Sequence, residues 1–102
     1  MAVVAITKDN FNELVKNGAK PVLLDFYATW CGPCRMVSPI VEQISEERGD
    51  YLVGKINVDE EKELAQAFEI SSIPTLIVVK EGVIANANIG FAPKTEILKL
   101  MD

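Results

Sequence analysis

Both cysteines of the chain lie in one stretch, Trp30-Cys31-Gly32-Pro33-Cys34, and there is no histidine anywhere. Immediately before it, Val22-Leu23-Leu24-Asp25-Phe26-Tyr27 is a short, mostly apolar run of β-forming residues, the pattern of a buried strand in a covered sheet. Immediately after it, Met36, Val37, Ile40, Val41 and Ile44 recur at helical spacing. The two sulfurs are therefore expected at a strand-to-helix junction, with Cys31 near the N-cap and Cys34 one turn in. The free N–H groups and positive dipole end of a helix favour an anion, here the Cys31 thiolate. Lowering a thiol pKa by one unit requires about 1.4 kcal/mol, within reach of a partly buried helix terminus with one or two N–H···S contacts. Gly32 lets the backbone close around the sulfur, and Pro33 takes a first-turn position where its missing N–H costs nothing. The chemistry this spacing supports is reversible thiol–disulfide exchange.

Other uses of two cysteines fit less well. A structural disulfide closing a four-residue ring would contribute only about 2 kcal/mol and join residues already adjacent. A structural zinc site wants four Cys or His ligands, so no metal is expected without a second chain. A helix N-terminus beside Trp-Cys-Gly-Pro is a poor place for an inert core thiol.

Length and composition place the pair in context. The 102 residues make one domain, 1–102, and an apolar fraction of 49% with 25% charged residues is ordinary for a water-soluble globular chain. No stretch approaches the apolar length of a membrane span. Met1-Ala2-Val3-Val4-Ala5-Ile6 is apolar but lacks a basic lead-in and is stopped by Thr7-Lys8-Asp9-Asn10, so a cytoplasmic location is expected. In a reducing compartment, two cysteines are more readily catalytic than structural. A net charge of −5 disfavours nucleic acid and anionic membrane as partners.

Along the chain, Val3 to Ile6 reads as a strand and Lys8 to Asn17 as a helix capped by Thr7, with Phe11, Leu14 and Val15 inward and Gly18 ending it. The Val22 to Tyr27 strand follows, then a long helix from about Pro33 to Arg48 closed by Gly49, kinked near Arg35 to Pro39 by its interior proline. Tyr51 to Asn57 is the next strand. Asp59 opens a short helix with Leu64, Ala65 and Phe68 inward. Thr75 to Lys80 and Val83 to Ile89, separated by Glu81-Gly82, have hairpin spacing, the second being an edge strand with one wet face bearing Asn86 and Asn88. Pro93 starts a last helix carrying Ile97, Leu98 and Met101.

Trp-Cys-Gly-Pro-Cys after an apolar Asp-Phe strand, followed in order by Lys55, Ile73-Pro74-Thr75 and Gly90, resembles the thioredoxin family over essentially the whole chain. The resemblance implies an α/β fold: a central mixed five-stranded sheet flanked by four helices, built from a βαβαβ half, a linking helix and a ββα half. It implies a monomeric protein-disulfide reductase without bound cofactor, acting on disulfide-containing client proteins and recharged by a thioredoxin reductase. A carboxylate in an apolar strand is expensive unless protonated, paired or useful, which singles out Asp25; the family assigns this position to proton transfer with the second cysteine, here Cys34. Lys55 can reach solvent from a strand end and takes a supporting role. An X–Pro bond is trans by default; only the resemblance makes Ile73-Pro74 cis, exposing the Ile73 backbone to pair with a substrate segment. Trp30, Gly32, Pro33, Ile73, Pro74, Ile89 and Gly90 would form the substrate-binding surface around Cys31. Phe91 fits that surface and ordinary surface scatter equally. Two departures bear on groove shape: Tyr27 stands where a second tryptophan is common, and Ser71-Ser72 where a glycine is common. Gly32-Pro33 between the cysteines argues against glutaredoxins and secretory oxidants. A redox-sensitive docking subunit of a larger complex is the competing class, distinguished by whether the isolated protein reduces a model protein disulfide catalytically.

Overall fold

In the computed structural model, which describes residues 3–102, the apolar run at the centre of the sequence is the centre of the sheet. Met1 and Ala2, where the N-terminal apolar run begins, lie outside the described residues. Strand β2 spans Val22–Tyr27, and its first five residues are all buried. It joins β1 (Val3–Ala5), β3 (Leu52–Asn57), β4 (Thr75–Lys80) and β5 (Val83–Ile89) in the order β1-β3-β2-β4-β5. The pairs β1–β3 and β2–β3 are parallel, while β4 runs antiparallel to β2 and β5 antiparallel to β4. A mixed five-stranded sheet is thus built as expected.

Helices cover both faces. Helix α1 (Gly32–Glu47) and helix α3 (Lys94–Met101) lie on one, where Val37, Val41, Ile44, Ile97 and Met101 pack with Leu23, Val53, Leu76 and Val78. Helix α2 (Lys62–Ala67) and a π-type turn at Asn12–Lys16 lie on the other, over Val22, Leu24, Phe26, Ile56 and Ile77. There Phe68 packs edge-to-face with Phe11 and tilted against Phe26, with ring centroids 5.7 and 5.2 Å apart. The Glu81-Gly82 turn has φ of 54° and 77°, the two positive angles that join antiparallel strands through a two-residue loop. Helix α1 continues through Pro39, which stands on its exposed side.

Four local expectations are corrected. The Lys8 to Asn17 helix shrinks to the π-type turn, closed by Asn17 N–H on the Asn12 carbonyl at 2.9 Å. Thr7 does accept from Asp9 N–H and donate its own N–H to Asn10 Oδ1. However, Asn10 Nδ2 bonds back to the Ala5 carbonyl and Lys8 N–H donates to Glu61, and these bonds compete with a regular first helical turn. Helix α2 starts at Lys62 rather than Asp59. Met36 is 61% exposed because the inward stripe is Cys34, Val37, Val41 and Ile44, and Met36 lies one position, about 100° around the helix, from Val37. Strand β5 is wet on both faces, each of its residues being exposed except half-buried Asn88. Asn86 and Asn88 register with core residues Val78 and Leu76, and Asn86 Nδ2 donates to the Leu100 carbonyl in α3. Ile84 and Ile89, on the other face, are 53% and 69% exposed.

Gly18 ends the π-type turn because there is no room for a side chain: a Cβ there would lie 2.3 Å from the Leu14 carbonyl oxygen. Gly18→Ala should lower stability by about 1–3 kcal/mol. Gly49→Ala, where a Cβ meets nothing within 4 Å, should be neutral or slightly stabilising. Denaturant midpoints of the two variants at equal m value measure the contrast.

Candidate active site

The buried strand β2 ends at Tyr27, and the chain turns through Ala28, Thr29 and Trp30 before Cys31 opens α1 as its N-cap, with φ −92° and ψ 117°. In that extended conformation the Cys31 side chain folds back over the first turn, and Sγ accepts the N–H of Cys34 at 3.2 Å. Sulfur takes the place that a Ser or Asp oxygen usually occupies at an N-cap. Gly32 has no neighbour within 4 Å of its missing Cβ, and Pro33 sits in the first turn as expected. Cys31 and Cys34 are joined in a disulfide, their Cα atoms 5.3 Å apart. Both are buried, at 5% and 3% exposure, under Ala28, Tyr27, Val58 and Ile73. Cys31 thus caps the helix from a buried position, with Ile73 packed against it.

That loop brings distant sequence to the cysteines. The Ile73-Pro74 bond is cis, and the Ile73 carbonyl oxygen lies 3.9 Å from Cys31 Sγ. Thr75 Oγ1 donates to the Ser72 carbonyl at 2.6 Å, and Gly90 N–H donates to the Pro74 carbonyl at 2.7 Å. With Thr75 registered against Ile89, these bonds place Ile73, Pro74, Ile89 and Gly90 at one end of the sheet beside the dithiol. Gly90 accomplishes the turn at φ 94°. Trp30, Ile89 and Phe91 are 67%, 69% and 46% exposed. Trp30 is nonetheless oriented: its Nε1 donates to Asp59 Oδ2 at 2.9 Å, and Asn57 Oδ1 holds the Asp59 loop by accepting the N–H groups of Asp59 and Glu60. Between Trp30 and the Ser71-Ser72-Ile73 segment lies a groove of about 190 Å³, also lined by Val58 and Ile70. Sequence reasoning missed Asp59 as the partner of Trp30. The Asn57-x-Asp59 pattern signals a side-chain-stabilised turn, but nothing local points across to a residue 29 positions away.

Asp25 faces α1 from the middle of β2, registered between Lys55 of β3 and Leu76 of β4. It is 4% exposed, as expected for either orientation in a covered sheet. Asp25 and Cys34 both line a cavity of about 220 Å³, together with Tyr27, Arg35, Ser38 and Lys55. Burial pushes the Asp25 carboxyl up from 3.8 to about 7, and Lys55 pulls the other way more weakly. Lys55 itself is exposed, its ammonium reaching solvent. The native state thus holds a proton on Asp25 that the unfolded state releases, and stability falls as pH rises from about 4 to about 7. The accumulated cost at pH 8 is on the order of 4 kcal/mol. Asp25→Asn should therefore stabilise the oxidised protein by up to that amount at pH 8 and very little at pH 4. Urea midpoints at the two pH values measure it, and equal effects at both would contradict a buried, proton-holding carboxyl.

Comparison with known proteins identifies the family. The family model described as Thioredoxin matches residues 2–102. A protein named thioredoxin from Staphylococcus haemolyticus is 43% identical over an alignment covering the whole chain and 97% of that protein. One of the same name from Mycolicibacterium smegmatis is 46% identical over 96% of the chain and 90% of its own length. Another from Bacillus subtilis is 42% identical over all of the chain and 97% of its own length. With a five-stranded mixed sheet, a Cys-Gly-Pro-Cys disulfide capping a helix and these relatives along its whole length, the chain belongs to the thioredoxin family and is a dithiol–disulfide oxidoreductase that reduces protein disulfides.

Proposed function

We propose that the two sulfurs divide the reaction, Cys31 attacking and Cys34 resolving. The observation that carries this is the Cys34 N–H directed at Cys31 Sγ at 3.2 Å: on reduction, the same N–H and the helix end favour negative charge on Cys31 and on no other sulfur. The Cys31 thiolate attacks one sulfur of a client disulfide, a mixed disulfide forms, and the client's other sulfur leaves as a thiolate that takes up a proton. Cys34 then gives its proton to the Asp25 carboxylate and attacks Cys31, releasing the client's second sulfur as a thiolate, which takes up a proton, and leaving Cys31 and Cys34 joined. Two electrons pass to the client. Lys55, beside Asp25 in the sheet, supports its ionised form.

The client enters over Trp30, Gly32, Pro33, Ile73, Pro74, Ile89 and Gly90. An extended client segment pairs with the backbone at Ile73 while its side chains rest on the apolar rim. A separate thioredoxin reductase returns the disulfide to the dithiol, in the cytoplasm. No helix among the described residues is long and apolar enough to cross a membrane, in keeping with that setting.

Cys31→Ser should abolish reduction of a protein disulfide. Cys34→Ser should still attack and accumulate a mixed disulfide, detectable by mass under non-reducing conditions. Alkylation of the reduced protein at pH 7 should modify Cys31 before Cys34; the reverse order would assign the roles wrongly.

A further inference from the structure

The Gly90 turn is held differently from the rest of the docking surface. Gly90 stands at φ 94°, and nothing lies within 4 Å of the place a Cβ would take. Glycine visits either sign of φ with little preference, so sterics do not fix this turn. Two hydrogen bonds do. Gly90 N–H donates to the Pro74 carbonyl at 2.7 Å, which fixes the peptide before Gly90. The Gly90 carbonyl accepts from Asn88 Nδ2 at 3.2 Å, which fixes the peptide after it. Asparagine is depleted in strands, where its amide competes for backbone groups, yet Asn88 lies near the end of β5 and is the one residue of that strand that is not exposed. Opposite Leu76 on the side of α3, its amide reaches two residues ahead and turns the chain out of the ladder after Ile89. The far end of the turn is anchored by Ala92, 3% exposed in the core beside Ile97. Ile89 and Phe91 therefore project into water from a segment fixed on both sides of Gly90.

We propose that Asn88 is a positioning residue for client docking, its amide latching the Gly90 turn so that Ile89 and Phe91 meet an incoming polypeptide as one preformed apolar edge. The proposal rests on the docking surface proposed above and adds to it the residue that sets its shape. A turn that is already ordered loses little entropy when a client settles on it, whereas a Gly90 free to rotate would have to be ordered at each encounter. The donor is what matters: a carbonyl only accepts, so an aspartate of the same size in place of Asn88 cannot make the bond. Asn88 touches neither sulfur and lies on a strand that does not carry the dithiol. Its loss should therefore be felt by a polypeptide, which covers the turn, and not by a small disulfide that needs only the Cys31 sulfur.

The test compares a large and a small disulfide, insulin and dithiobis-nitrobenzoate, each mixed with the full, pre-reduced chain under single-turnover conditions at pH 7. Asn88→Asp and Asn88→Ala should lower the second-order rate with insulin by about three- to tenfold, the range one hydrogen bond spans, and leave the rate with dithiobis-nitrobenzoate unchanged. Asn86→Ala is the control. It removes an amide of the same kind from the same face of β5, where Nδ2 donates to the Leu100 carbonyl instead, and should reduce both disulfides at the wild-type rate. If Asn88→Asp does not fold, Asn88→Ala alone decides. Insulin reduction at the wild-type rate in Asn88→Ala, equal slowing with the small disulfide, or equal slowing by Asn86→Ala would each overturn the latch. Ile89→Ser, which alters the surface itself, should also slow insulin reduction, and a wild-type rate there would overturn the docking surface on which the latch rests. A wild-type chain that reduces neither disulfide would instead overturn the reading of the dithiol.

Discussion

The constraint on which the molecule depends is that β2 is covered on every side. It pairs with β3 along one edge and β4 along the other, and helices close both faces. A strand in that position is rigid, since neither its backbone bonds nor its side chains compete with water. Because Cys31 follows only four residues after the end of β2, this rigidity passes directly to the start of α1. The sulfur becomes an N-cap at a defined place.

The same coverage explains why the site combines opposite electrostatic demands within a few residues. At the helix end, unpaired N–H groups favour a negative sulfur. One layer below, between the sheet and α1, desolvation favours a neutral carboxyl, so that Asp25 holds a proton where an exposed aspartate would not. The two groups are thus tuned in opposite directions, one by dipoles and the other by their exclusion from water. A cost on the order of 4 kcal/mol at Asp25 is a large share of the roughly 5–15 kcal/mol by which a domain of this size is stable. Strand β2 tolerates it because Val22, Leu23, Leu24 and Phe26 are apolar and fully buried.

The apolar rim follows a different logic. Trp30, Ile89 and Phe91 stay in water, yet their attachments are ordered: Trp30 by Asp59, Ile89 and Phe91 by the strand and turn around Gly90. A pre-organised apolar surface loses little entropy when an extended segment settles on it. Cys31 Sγ lies below that surface, buried against Ile73.

The order of elements, the central strand, the cysteine-bearing junction and the hairpin could all be read from sequence, because each depends on local periodicity or on turn chemistry within a few residues. Asp25 stood out for the same reason, a carboxylate in an apolar run. Other features depended on partners far along the chain. The first helix shortened because Lys8 and Asn10 found bonds to Glu61 and Ala5. Strand β5 stayed exposed on both faces, with Asn86 bonded to the Leu100 carbonyl in α3, 14 residues on. Cys31 is buried with Ile73, 42 residues later, packed against it. The sequence by itself determined which atoms react, since a dithiol's chemistry is set by residue type and spacing. Only the tertiary structure decided how those atoms are reached, because access, burial and the shape of the cavity behind Cys34 arise where separate elements meet and have no local signature.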